Sequence, residues 1–174
     1  VPEVFTSTIN SPIGPLRIGV GERGIVSLDF AAEATAPRAT TSPPPPEAAE
    51  VLRRTREELG EYFGGVRTSF SVPVDLKGTP FQMRVWAALR RIPYGTTLSY
   101  KEIAAAVGNA RATRAVGGAN HRNPISIIVP CHRVVGSDGQ LTGYGGGIGR
   151  KEWLLAHERR HSRKANEARA WLRR

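Results

Sequence analysis

The chain has a single cysteine, Cys131, among 174 residues, so no internal disulfide can form. The four histidines stand at 121, 132, 157 and 161, and residues 1–78 contain neither Cys nor His. No CxxC pair exists, and the expectation is that the chain holds no metal and needs no cofactor. No window approaches about 18 consecutive apolar residues, so no segment is expected to span a membrane. The opening "VPEVFTSTIN" lacks a basic stretch followed by an apolar one, the pattern of a signal peptide. A lone thiol and no export signal place the expected location in a reducing cytoplasm.

Acidic residues are also scarce where they would matter. Residues 76–158 hold eleven Lys/Arg against four acids, Glu102, Asp138, Glu152 and Glu158, and residues 159–174 hold seven against one. Residues 1–75 run the other way, with seven Arg and ten acids. The formal net charge of +10 therefore belongs to the C-terminal half, as a surface for a polyanion requires.

What is present reads as two units. "VFTSTI", "LRIGVG" and "GIVSLDF" alternate and are punctuated by "SPIGP" and "GERG", the pattern of an antiparallel meander. A proline-rich loop follows at 36–47. "EVLRRTREELGEYFGG" is a helix with Val51, Leu52, Leu59, Tyr62 and Phe63 on one face, stopped at Gly64. "TSFSVPVDL" reads as one more extended piece, closing an α+β domain over 1–78.

The second unit, 79–158, opens with Thr79 as N-cap, Pro80 at the first helical position and Gln82 closing a capping box. Ser99 with Glu102 is a second box, Gly108 a stop, and a further helix begins near Ala112 to Thr113. Two short helices about a glycine turn in a basic region form a helix-turn-helix pattern. The second of them contains Gly117 and Gly118, each costing about 1 kcal/mol against Ala in a helix interior. Either they permit tight helix packing, or they keep a face bare for a narrow groove such as the DNA minor groove, with Arg114 at its N-terminal end. "VVGSDGQLTGYGGG" reads as a hairpin about Asp138-Gly139, and "RKEWLLAHERR" as a closing helix. The fold expected is α+β: a small antiparallel sheet with a helix, then a winged-helix-like domain. Residues 159–174 are a basic tail.

Cys131 follows an apolar run and Pro130 in "IIVPCHRVV". A buried packing role competes with a nucleophilic one. His132 can serve as base, Arg133 adds positive potential that favours thiolate, and Pro130 stiffens the approach. Adjacent residues of an extended chain project to opposite sides, so the route from Cys131 to His132 runs through a water. A catalytic histidine needs an orienting group. With Glu102 in a capping box and Asp138 in a turn, Glu152 and Glu158 remain.

"IPYGTTLSYKEIAAAVGN", "RAVGGANHRNP", "NPISIIVPCHRVV" and "GYGGGIGRKEWLLAHE" occur in that order, and together they resemble the O6-alkylguanine-DNA alkyltransferase family over 79–158. Residues 1–78 resemble that family's N-terminal domain in layout and in "SPIGPLRIGVGERGI". The resemblance implies irreversible single-turnover repair: an alkyl group passes from O6-alkylguanine, and from O4-alkylthymine, in double-stranded DNA to Cys131. The damaged base is flipped out, and the duplex is bound through its minor groove by a monomer. It implies that Cys131 is the acceptor, that His132 acts on it through water, and that Glu158 orients His132. Asn123 would brace the turn carrying Cys131, and Tyr100 would protonate the leaving guanine. Arg114 would replace the extruded nucleotide, with Gly117 and Gly118 against the groove. Tyr144 and Gly145 would wall the base pocket, and Val134 would offer its carbonyl to the guanine amino group. Some members carry zinc in the N-terminal domain; residues 1–78 lack the ligands for it. A sensor that flips alkylguanine without repairing it would lack the cysteine. A Cys-His hydrolase would give no reason for the basic half.

Overall fold

The computed structural model describes residues 3–31 and 42–172, with side chains described as far as residue 162. Part of the proline-rich loop, 36–41, and the side chains of the basic tail from 163 onward lie outside the described residues. The architecture is α+β and divides into two compact units. One comprises the described residues up to Met83 together with Asn123–Val129; the other comprises Arg84–Arg122 and the chain from Pro130.

In the first unit β1 (Phe5–Ile9), β2 (Leu16–Gly21) and β3 (Gly24–Phe30) form an antiparallel sheet in the order β1-β2-β3. The pairing Phe5 with Val20 and Leu16 with Phe30 fixes the register. That register turns Leu16, Ile18 and Val20 inward by alternation, and a register shift at Gly19/Val20 brings Ile25 opposite Val20 on the same face as Leu28; all five are wholly buried. The helix α1 (Pro46–Phe63) contributes Leu59 and Tyr62 to this core. Its buried stripe is less apolar than the sequence implies. Thr55 and Glu58 are on it, and Val51, Leu52 and Phe63 are only half-buried. Glu58 is paired: it accepts the Ser71 N–H and hydroxyl, both at 2.7 Å. Those bonds and Pro73, which has no N–H, explain why 68–76 does not form the expected strand. Only a bridge between Ile25 and Val74 joins it to the sheet.

A second segment far away in sequence completes this unit. Leu28 N–H donates to Pro124 O, and Ser126 N–H to Leu28 O, each at 2.9 Å. Residues 123–129 thus lie parallel to β3, with Ile125 bridging Leu28.

Helix α2 (Pro80–Leu89) starts with the reciprocal box the sequence implies. Gln82 N–H donates to Thr79 Oγ1 at 3.1 Å, and Thr79 N–H to Gln82 Oε1 at 2.9 Å. In the second unit, β4 (Leu98–Ser99) leads into α3 (Tyr100–Ala106), where Ser99 Oγ accepts the Glu102 N–H at 3.0 Å. Gly108, at φ +85, turns the chain, and α4 (Thr113–His121) follows. A 3₁₀ turn, Cys131–Arg133, precedes β5 (Val134–Val135), which pairs parallel with β4. The expected hairpin is reduced to its turn. Gly136 N–H donates to Gln140 O at 2.9 Å, and no strand pairs beyond it among the described residues. Val134–Val135 is used by β4 instead, and the glycines of 143–147 disfavour a partner strand. Helix α5 (Ile148–Leu172) closes the chain and continues well beyond "AHERR". Among the described residues no helix is long and apolar enough to cross a membrane.

Candidate active site

Cys131 opens the 3₁₀ turn at 4% exposure, with the Val134 N–H closing the turn onto its carbonyl. The chain here is not extended. Successive side chains of a 3₁₀ turn are about 120° apart, so Cys131 and His132 do not point to opposite sides. His132 is wholly buried, and its Nε2 lies 2.7 Å from Glu158 Oε2. Glu158 sits on α5, held there by Leu154 and Leu155, both buried. Of the two acids that elimination left, Glu158, the one the resemblance implies, is on His132; Glu152 is exposed.

Arg133 does not supply free positive potential to the thiol. Its Nε donates to Glu158 Oε1 at 2.8 Å, its Nη2 to Oε2 at 3.1 Å and its Nη1 to Ile92 O at 2.8 Å. The carboxylate neutralises it. Gly95 N–H adds a further bond to Glu158 Oε1 at 3.2 Å. Burial alone would raise the Glu158 carboxyl, but His132 and Arg133 outweigh it and hold the group far below the carboxylate range. Burial has the opposite outcome at His132. It pushes the imidazole below its ordinary value despite Glu158, with Arg133 and Lys151 acting in the same direction. The pair is therefore neutral imidazole with carboxylate. Nε2–H donates to Glu158, and the lone pair is on Nδ1, which is buried and has no hydrogen-bond partner among the described residues.

The other expected site residues fall into three places. Asn123 lies in the 123–129 segment, where Nδ2 donates to Val129 O at 2.8 Å and Oδ1 accepts the Ile125 N–H at 3.0 Å. It closes a turn containing Ile127 at φ +72, a left-handed conformation rare for a β-branched residue. Tyr100, at the start of α3, donates to Thr142 O at 3.4 Å. Val134 is buried and its carbonyl accepts from Lys151 Nζ at 2.5 Å. Tyr144 is buried, whereas Gly145 is exposed and a Cβ there would meet nothing within 4 Å. On α4 the buried face is Val116, Ala119 and Asn120, and Arg114 is exposed. A Cβ on Gly117 or Gly118 would meet nothing within 4 Å, which excludes tight helix packing as their purpose.

Four side chains escaped the sequence reading. Asn120 Nδ2 donates to Cys131 O at 3.3 Å, which ties α4 to the turn. Lys151 is wholly buried and bonds Val134 O and Thr142 O. A lysine within "RKEW" gives no sign of burial; only its tertiary neighbours do. His157 and His161 form an HxxxH spacing on α5 that the expectation of no metal passed over. Their rings are 4.3 Å apart, and His161 Nδ1 lies 2.7 Å from His157 O. Among the described residues no group of three or more His, Cys, Asp or Glu is placed to hold an ion.

The family profile described as "6-O-methylguanine DNA methyltransferase, DNA binding domain" matches residues 80–160. The one described as "6-O-methylguanine DNA methyltransferase, ribonuclease-like domain" matches 4–76. A methylated-DNA–protein-cysteine methyltransferase of Mycolicibacterium paratuberculosis is 50% identical over 155 residues, covering 89% of this chain and 92% of that protein. The constitutive methyltransferase of that name from Bacillus subtilis is 46% identical over 143 residues, 82% of this chain and 87% of that one. A crystal structure of Mycobacterium tuberculosis OGT in complex with DNA superposes with a TM-score of 0.78 at 48% identity, covering 88% of this chain and 92% of that one. Both profiles, the identities and the fold agree: this chain belongs to the 6-O-methylguanine DNA methyltransferase family.

Proposed function

We propose that this protein repairs DNA by direct reversal, taking the alkyl group of O6-alkylguanine, and of O4-alkylthymine, onto Cys131. The observation that carries the reading is the wholly buried His132–Glu158 pair, with the open Nδ1 lone pair on the residue next to the cysteine. The thiol proton leaves through a water to Nδ1. The Sγ–C bond forms as the C–O6 bond breaks, and the electron pair returns to guanine. Tyr100 gives the leaving base a proton and regains one from solvent, while His132 releases the thiol proton to solvent, so in sum one proton passes from thiol to guanine. A thioether has no easy leaving group, so the reaction runs once per molecule.

Residues 79–158 do this work, with 1–78 as an α+β companion and 159–174 as a basic extension. Helices α3 and α4 act as a helix-turn-helix. The open face at Gly117 and Gly118 lets α4 backbone approach the floor of the minor groove, and Arg114 fills the gap left by the flipped nucleotide. Asn123 braces the turn before Cys131, Val134 O reads the guanine amino group, and Tyr144 with Gly145 walls the pocket. The protein works as a monomer in the reducing cytoplasm, where a free thiolate survives. Intact mass measurement after incubation with duplex DNA containing O6-methylguanine tests the reading. One methyl group should appear on Cys131, none on a Cys131→Ser variant, and excess DNA should give no second turnover. Unmodified protein, or multiple turnovers, would overturn it.

A further inference from the structure

With Arg133 neutralised by Glu158, a different cation is left buried beside the turn that carries the nucleophile. Lys151 is wholly buried in the first turn of α5, and its Nζ donates to Val134 O at 2.5 Å and to Thr142 O at 3.0 Å. Both partners are neutral carbonyls. Among the described residues no carboxylate lies within ion-pair distance of it, since Glu158, seven residues along the same helix, is taken up by His132 and Arg133. A buried ammonium with no counter-charge is costly. Aliphatic packing or a glutamine would serve a purely structural purpose at lower cost, so the charge itself needs a reason.

Resting on the reading that Cys131 is the acceptor, we propose that Lys151 is a positioning residue whose buried charge is the standing counter-ion of the Cys131 thiolate. It grips Val134, three residues beyond the nucleophile, and this fixes the cation beside the turn. The same ammonium grips Thr142, whose carbonyl also accepts from Tyr100 at 3.4 Å, and it lies 6.0 Å from the Tyr100 ring centre. One side chain thereby ties the strand that follows the nucleophile's turn, the proton donor and the loop leading to Tyr144. The groups facing it are Cys131 and His132 on the turn and Tyr100 on α3. Of these, only the thiol becomes a lasting anion that can pair with it, since Tyr100 regains its proton and His132 passes on the one it takes. Burial depresses the lysine's own proton affinity, and the charge on Cys131 opposes that.

The test uses Lys151→Gln, which keeps two N–H donors but has no charge, and Lys151→Met, which keeps the length. For each, the pH midpoint of Cys131 alkylation by iodoacetamide is measured alongside methyl transfer from O6-methylguanine duplex. Affinity for undamaged duplex and melting temperature are recorded as controls. Both variants should fold, with DNA affinity within about twofold. Both should shift the alkylation midpoint to higher pH and slow methyl transfer at neutral pH by roughly tenfold or more, the scale of a unit of thiolate pKa. Raising the pH should restore the transfer rate. An unshifted midpoint in Lys151→Gln, or a rate loss that alkaline pH leaves in place, would overturn the counter-ion role. The iodoacetamide arm needs no damaged DNA, so failure of the repair reading itself would show separately, as wild-type protein that takes no methyl group.

Discussion

His132 Nε2 lies 2.7 Å from Glu158 Oε2, with neither side chain exposed, and the same carboxylate receives two N–H bonds from Arg133. Glu158→Gln therefore disturbs two partners. It removes the anion that fixes the imidazole tautomer, so methyl transfer should slow by an order of magnitude or more, about the scale of general-base effects. It also leaves the Arg133 guanidinium buried without its counter-charge, which should cost about 3–5 kcal/mol of stability. Urea denaturation and single-turnover rates on the folded fraction measure the two losses separately. A destabilised variant with the wild-type rate would confine Glu158 to packing.

The neutral state of His132 sets a pH expectation. Burial holds the imidazole below its ordinary 6.5, so the base stays unprotonated as pH falls through that value. The acid limb of the rate profile due to His132 should lie below pH 6.5. Stability follows the same sign. Below about 6.5 the unfolded His132 takes up a proton that the folded one refuses, so stability falls on acidification. Glu158, depressed in the folded state, contributes stability above its ordinary 4.5 and loses it as pH falls below that. Urea midpoints across this range should drop towards acid, less steeply in His132→Gln. An equal slope in that variant would contradict the assignment of the buried neutral ring.

The open face of α4 separates stability from binding. A Cβ on Gly118 would meet nothing within 4 Å, so Gly118→Ala should stabilise the protein, by up to about 1 kcal/mol, from helix propensity alone. The same methyl group should weaken affinity for undamaged duplex if backbone approach to the minor groove requires the bare surface. Melting temperature and a DNA titration on one sample check both halves. A more stable variant with unchanged affinity would move the groove contact elsewhere.

Arg114 is exposed on α4, and Arg114→Ala should slow repair of duplex DNA far more than reaction with free O6-benzylguanine, which has no stacked neighbour to replace. Equal losses on the two substrates would rule out the wedge. Affinity for duplex should also fall steeply with salt, as phosphate neutralisation by the basic half requires. A flat response would mean that the charge of residues 76–174 is only solvated.

Local rules were legible in the sequence where local physics decides. The three strands of the sheet, both capping signals and the stop at Gly108 follow from alternation, hydroxyl caps and glycine, and all are found. The strand at 68–76 and the hairpin about Asp138-Gly139 were misread because pairing is not local. Glu58 captures Ser71, and β4 captures Val134–Val135.

By itself the sequence determined the chemistry-bearing types and their order: one thiol, a histidine beside it, few acids, and a glycine-rich helix in a basic half. Only the tertiary structure decided what their charges do. Arg133 neutralises Glu158 rather than activating Cys131, and Lys151 is buried against Val134 O and Thr142 O. The physical reason is that a side chain's charge acts over a few ångströms in a low-dielectric interior. Its effect depends on which groups share that space, and partners that are 25 and 26 residues apart in the chain meet only when α5 packs on the turn.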